Sequence, residues 1–138
     1  NLTSANLTSA NLRGANLTSA NLTSANLTSA NLRGANLIDA KLSGAKLNVA
    51  YLINANLHGA NLTGADLGGS AIIDADLSSA NLSGAFLGGA FLSSANLTGA
   101  DLSGANLTGA DLRSIRLDGA LYCRTLMPWG ELNDDCEG

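Results

Sequence analysis

Leu stands at every fifth position from Leu2 to Leu117, with Ile72 the one exception. Ala stands two places before each centre from Ala5 onward, broken at Ser70 and Ile115. The residue between them is usually Asn, and is Asp at Asp66, Asp76, Asp101 and Asp111. The unit therefore reads Ala-Asn/Asp-Leu-x-x, with Thr-Ser, Ser-Gly, Thr-Gly, Arg-Gly or Gly-Gly in the last two places. No helix accommodates this period. At about 100° per residue, five residues advance about 500°, so the Leu side chains would scatter around the cylinder and form no apolar stripe. A straight strand fails as well: Ala and Leu share one face, but the next pair, an odd number of residues on, would face the other way. A corner after every unit resolves the conflict. Three residues form a side with Ala and Leu inward and Asn outward, and two small residues turn the corner, where Gly, Ser and Asn suit turn geometry. Repeated corners wind a coil whose turns stack as parallel strands about 4.8 Å apart.

Residues 1–17 are identical to residues 21–37, a lag of 20, or four units. Arg13, Arg33 and Arg113 share a column under that lag. Four sides per coil and about six coils follow, a rod of roughly 29 Å. The motif resembles that of the pentapeptide repeat family over about residues 1–120. The resemblance implies an all-β fold, a right-handed quadrilateral parallel β-helix with the central Leu and the preceding Ala inside. It also implies a solenoid stabilised coil by coil, each buried Leu contributing roughly 1.5–3 kcal/mol.

After Ala120 the pattern dissolves, so the chain divides into a β-helix over 1–120 and a capping tail over 121–138. Leu126, Met127 and Trp129 are expected to fold over the open end, with Pro128 and Gly130 flanking Trp129 in a turn and Ile115 filling the last coil. The tail resembles a cysteine-bracketed ending of some cyanobacterial and plastid pentapeptide repeat proteins, at Cys123, Thr125, Met127, Pro128, Gly130 and Cys136. A Cys123–Cys136 disulfide is the favoured reading, and closing such a loop is worth roughly 3 kcal/mol on the chain-entropy model. It favours the periplasm or the thylakoid lumen; the alternative is two free thiols in a cytoplasmic protein. Two Cys without a nearby His are too few ligands for a metal site. The chain starts inside a unit at Asn1, which leaves open a processed fragment, end-to-end assembly and an engineered solenoid. Self-association through this uncapped coil is one expectation.

The lag also maps the outer surface. Taking faces 1 to 4 as those centred on Leu2, Leu7, Leu12 and Leu17, face 3 carries Asn11, Asn31, Tyr51, Ala71, Phe91 and Asp111 before its centres. After them it carries Arg13, Arg33, Ile53, Ile73, Ser93 and Arg113. Tyr51, Ile53, Ala71, Ile73 and Phe91, with Phe86 on the adjacent face 2, form a candidate contact patch, because contiguous exposed apolar surface marks contact sites. Outward β-favouring residues that happen to share a face are the bland alternative.

Composition narrows the chemistry. Charged residues are 13% of the 138, about half the roughly 25% of globular chains, and aromatics are 4%. The net charge of -4 does not suit nucleic acid, and no apolar run approaches the roughly 20 residues of a membrane helix. Some pentapeptide repeat proteins mimic a DNA duplex and bind DNA gyrase. Here Asp66, Asp76, Asp101 and Asp111 fall on four different faces, a weak basis for a sustained negative potential. Ser78 lies one coil from His58, the single His, with Asp39 and Asp76 nearby, so a Ser/His/Asp set is conceivable on face 4. A convex face with no evident oxyanion donors argues against catalysis. The outward Asn and Thr are expected to stack in ranks, with Asn ladders bonding along the sheet. The chain is read as a non-enzymatic structural or interaction scaffold without cofactor, whose partner is a protein or a second copy. The alternative is a DNA-mimicking binder of DNA gyrase.

Overall fold

A computed structural model describes residues 1–136. The chain winds as a right-handed quadrilateral parallel β-helix. Parallel bridges join residues 20 apart without a break in each column, from Asn6–Asn26 through to Asn106–Leu126. The ladders on each side are only one bridge wide, because a corner interrupts them every five residues.

One unit shows how the backbone is satisfied. Asn56 N–H donates down to Ala35 C=O (2.9 Å), while Leu57 N–H and Gly59 N–H donate up to Asp76 C=O (2.6 Å) and Ser78 C=O (3.0 Å). The corner closes with Ala60 N–H on Leu57 C=O (3.0 Å). That is a four-residue turn whose third residue has positive φ, the place where Gly, Asn, Asp or Ser is at home. One amide, His58 N–H, is left over, and the Asn56 side-chain Oδ1 accepts it at 3.0 Å. The same bond recurs at Thr3, Thr23, Thr63 and Thr98, from Asn1, Asn21, Asn61 and Asn96. The outward Asn is thus an acceptor for the single amide that stacking cannot pair. This differs from the expected ladder of Asn side chains along the sheet: the Asn bonds stay inside the unit, because an orphan N–H lies two residues away. Between coils the outward side chains of the described residues bond from Thr28 Oγ1 to Asn48 Oδ1 (3.0 Å) and between His58 Nδ1 and Ser78 Oγ.

The core is a column of Leu and Ala. From Leu22 to Leu107 every inward residue is buried, including Ile72 and Ser70, whose hydroxyl donates to Leu67 C=O at 2.6 Å. In the first coil Leu2 is 37% exposed, and Leu7, Leu12 and Leu17 are half-buried.

The winding carries on past Ala120. Leu121 bridges Asp101 and Leu126 bridges Asn106, which puts Tyr122 and Met127 in central Leu positions and Thr125 in an inward Ala position. Thr125 is fully buried because its hydroxyl donates to Leu102 C=O (2.6 Å). Strand β1 (Thr125–Met127) then turns through Pro128 and Trp129 into the antiparallel strand β2 (Gly130–Leu132), which lies along the last edge of face 2. On face 1, Tyr122 N–H donates to Asp135 Oδ2 and Asp135 N–H to Tyr122 C=O, both at 2.8 Å. Arg124 N–H donates to Asn133 Oδ1 (2.8 Å), and Cys123 and Cys136 form a disulfide.

Leu57→Ala is expected to cost about 2–5 kcal/mol in denaturant unfolding, as for a fully buried side chain. Leu2→Ala in the open first coil should cost far less. Equal losses would contradict the burial gradient.

Candidate functional site

Bridges Tyr51–Ala71 and Ala71–Phe91 confirm that these three residues share one outward column, and Ile53 and Ile73 stand in the parallel column beside it. Tyr51 is 42% and Phe91 49% exposed; Ile53, Ala71 and Ile73 are half-exposed. The Arg33 guanidinium lies over the Tyr51 ring, 4.4 Å from its centroid, an interaction worth about 0.5–1 kcal/mol at an exposed site. At the other end Arg113 grips Asp111 through both carboxylate oxygens, and this bond holds the Asp111 carboxyl below the ordinary carboxylate range.

Phe86 extends the apolar surface around a corner. Its ring lies across Gly68 and Gly88 on face 2, where a Cβ at Gly68 would come within 2.8 Å of a ring carbon. Only glycine leaves room for the ring to lie flat. Val49, at the corner between faces 2 and 3, is 48% exposed and packs toward Gly69. Sequence reasoning missed Val49. Its signal was a β-branched residue in a corner place that elsewhere holds Ser, Gly, Asn or Asp, and its φ is 51°. All the exposed large apolar side chains apart from Leu2 and Leu121 lie on faces 2 and 3, their shared corner or the hairpin above it: Val49, Tyr51, Phe86, Phe91, Leu126 and Trp129.

The expected cap residues divide. Met127 is buried, and Ile115 packs against the core half-buried. Leu126 instead points outward in the Asn106 column at 39% exposure, because β1 keeps the alternation of the repeat. Pro128 is exposed and Trp129 is 65% exposed, because both form the turn of the hairpin rather than a plug. Tyr122, Thr125 and Leu132 fill the end in their place, and the five-residue spacing continuing to Tyr122 and Met127 was the signal for it. Burial, followed by the charges of Asp135, Asp134 and Asp118, pushes the Tyr122 phenol above its ordinary pKa.

On face 4, His58 Nδ1 is 2.8 Å from Ser78 Oγ, and Ser78 Oγ donates to Asp76 Oδ1 at 2.6 Å. The serine proton is committed to Asp76, so the imidazole stands as donor to the hydroxyl and not as its base. Asp66, Asp76, Asp101 and Asp111 each accept the backbone N–H two residues on, the role Asn plays elsewhere. The described residues enclose no pocket, and no group of three or more His, Cys, Asp or Glu among them is placed to hold a metal. No helix of the described residues is long and apolar enough to cross a membrane.

The family model described as Pentapeptide repeats matches residues 1–37, 30–69 and 75–113, in eight copies. Among solved structures the chain is similar to HetL, a pentapeptide repeat protein involved in heterocyst differentiation regulation from the cyanobacterium Nostoc sp. strain PCC 7120. The identity is 32% over 92% of this chain and 78% of that one, with a TM-score of 0.46. It is also similar to Rfr23 from the cyanobacterium Cyanothece 51142, at 36% identity over 72% of this chain and 58% of that one, TM-score 0.37. A third likeness is to a pentapeptide repeat protein of the Arabidopsis thaliana thylakoid lumen, at 33% identity over 76% and 66%, TM-score 0.39. The chain thus spans less than two thirds of the length of the second and third. No curated protein matches the sequence.

Val49→Gly is expected to raise unfolding free energy by about 1 kcal/mol, because a left-handed conformation costs an L-residue roughly 1–2 kcal/mol. A loss of stability in denaturant melts would show that the Val49 side chain contributes more than its backbone costs.

Proposed function

The chain belongs to the pentapeptide repeat family, and from that premise we propose that it acts as a non-enzymatic scaffold that binds a protein partner through faces 2 and 3. The observation that carries this reading is the gathering of Val49, Tyr51, Ile53, Ala71, Ile73, Phe86 and Phe91 on two adjacent sides of a rod whose remaining sides are mostly polar. Ordered, rigid and flat apolar surface is what a partner can cover with little loss of conformational entropy. Arg33 and the Arg113–Asp111 pair border the patch along the axis, a polar rim around an apolar centre. The disulfide fits work in an oxidising compartment such as the periplasm or the thylakoid lumen. The tail acts as a cap for one end of the stack, covering the edges of faces 1 and 2 with β2 and the Tyr122–Asp135 bonds.

Site-specific photo-crosslinking tests the reading. A photoreactive residue at Ile73 is expected to capture protein in the source cell, and one at Thr98 on face 4 is not. Capture from Ile73 should vanish when Tyr51 and Phe91 are both replaced by Asn. Equal yields from Ile73 and Thr98 would contradict it.

A further inference from the structure

We propose that the occupant of face 3 is a polypeptide segment bearing acidic side chains beside apolar ones. The inference rests on the contact reading above and deepens it. Its basis is what the apolar residues displace. Where Asn or Asp stands before the centre, its Oδ1 accepts the N–H two residues on. Tyr51, Ala71 and Phe91 have no such oxygen. The amides of Ile53, Ile73 and Ser93 therefore have no protein acceptor among the described residues. Ser43, Asn48, Gly88 and Asp118, after Lys41, Lys46, Phe86 and Arg116, lack one too, but only on face 3 do three such amides follow one another in successive coils beside apolar side chains. At Arg13, Arg33 and Arg113 the equivalent amide points to the outward side chain of its unit, so these three point away from the rod as well. They form a row of free donors at the coil spacing of about 4.8 Å, running alongside the apolar side chains.

Charge sets the sign of the partner. Face 3 carries Arg13, Arg33 and Arg113 against the carboxylate of Asp111, with the exposed Asp74 at its corner with face 4, in a chain of net charge -4. The acidic excess sits elsewhere, much of it at Glu131, Asp134 and Asp135 in the tail. A second copy docking by the same face would set donors against donors and cations against cations. A lipid surface would bury the apolar groups but leave the Ile53, Ile73 and Ser93 amides without acceptors in its apolar layer. An acidic, apolar polypeptide supplies carboxylate and carbonyl acceptors for the amides, counter-charges for Arg33 and Arg13, and apolar side chains for the space between Tyr51 and Phe91.

The test is a displayed random-peptide library panned on the full chain, with counter-selection on the triple variant Tyr51→Asn, Ala71→Asn, Phe91→Asn. That variant restores the repeat motif and its amide caps, so it should fold at least as well as the parent. Recovered peptides are expected to be rich in Asp and Glu next to Leu, Phe or Trp. Each should bind about tenfold more weakly to the triple variant and to Arg33→Glu, and more weakly as salt is added. Peptides that are not acidic, or that ignore Arg33→Glu, yet are lost on the triple variant would overturn the acidic partner and leave the contact reading standing. Peptides that bind the triple variant as well as the parent would overturn both. Binding to phosphatidylserine vesicles, or a concentration-dependent dimer, abolished by the triple variant would also overturn the inference, assigning the face to lipid or to a second copy.

Discussion

The whole structure depends on one amide per unit. In a four-sided coil with a corner every five residues, stacking and the turn pair four N–H groups of each unit, and the fifth faces outward with no backbone partner. A short side chain with an oxygen, two residues earlier, closes that account, which is why Asn and Asp dominate the outward position. The Leu and Ala columns supply the apolar burial, but they would leave a row of orphan donors on every face if the outward residue were arbitrary. Structure and surface are therefore written in the same column of residues.

That coupling gives the exceptions their meaning. Each time the outward residue becomes Tyr51, Ala71 or Phe91, the protein gives up an internal hydrogen bond and gains apolar surface in one step. Lys41, Lys46, Phe86 and Arg116 forgo the same bond on other faces, but these three apolar exceptions fall in successive coils of one face, with Phe86 and Val49 on the neighbouring face and corner. Val49 is a β-branched residue in the positive-φ corner place that every unit has, where the other units hold Ser, Gly, Asn or Asp. The glycines beside Phe86 leave its ring room to lie across face 2.

Much of this was legible in the chain because the repeat is its own ruler. The identity of residues 1–17 with 21–37 set four sides per coil, and every bridge follows it. The column map placed Tyr51, Ala71 and Phe91 together and brought Ser78 next to His58. Hydrogen-bond direction was not legible. The Asn side chains bond inside their unit, and Ser78 commits its proton to Asp76, since both depend on local backbone geometry that spacing does not carry. The tail was the other gap. Tyr122, Thr125 and Met127 continue the inward positions under changed residue types, so the eye saw an ending where the backbone kept winding as far as β1.

Amide hydrogen exchange resolved by residue tests the central claim most directly. After correction for intrinsic rates, ladder amides such as Leu57 should exchange slowest and side-chain-capped amides such as Thr63 and Thr98 at intermediate rates. Within the interior coils the amides of Ile53, Ile73 and Ser93 should exchange fastest, together with those of Ser43, Asn48 and Gly88, which equally lack a side-chain acceptor. Protection of Ile53 and Ile73 equal to that of Thr63 and Thr98 would contradict the account, since the outward Asn would then not be what shields the fifth amide.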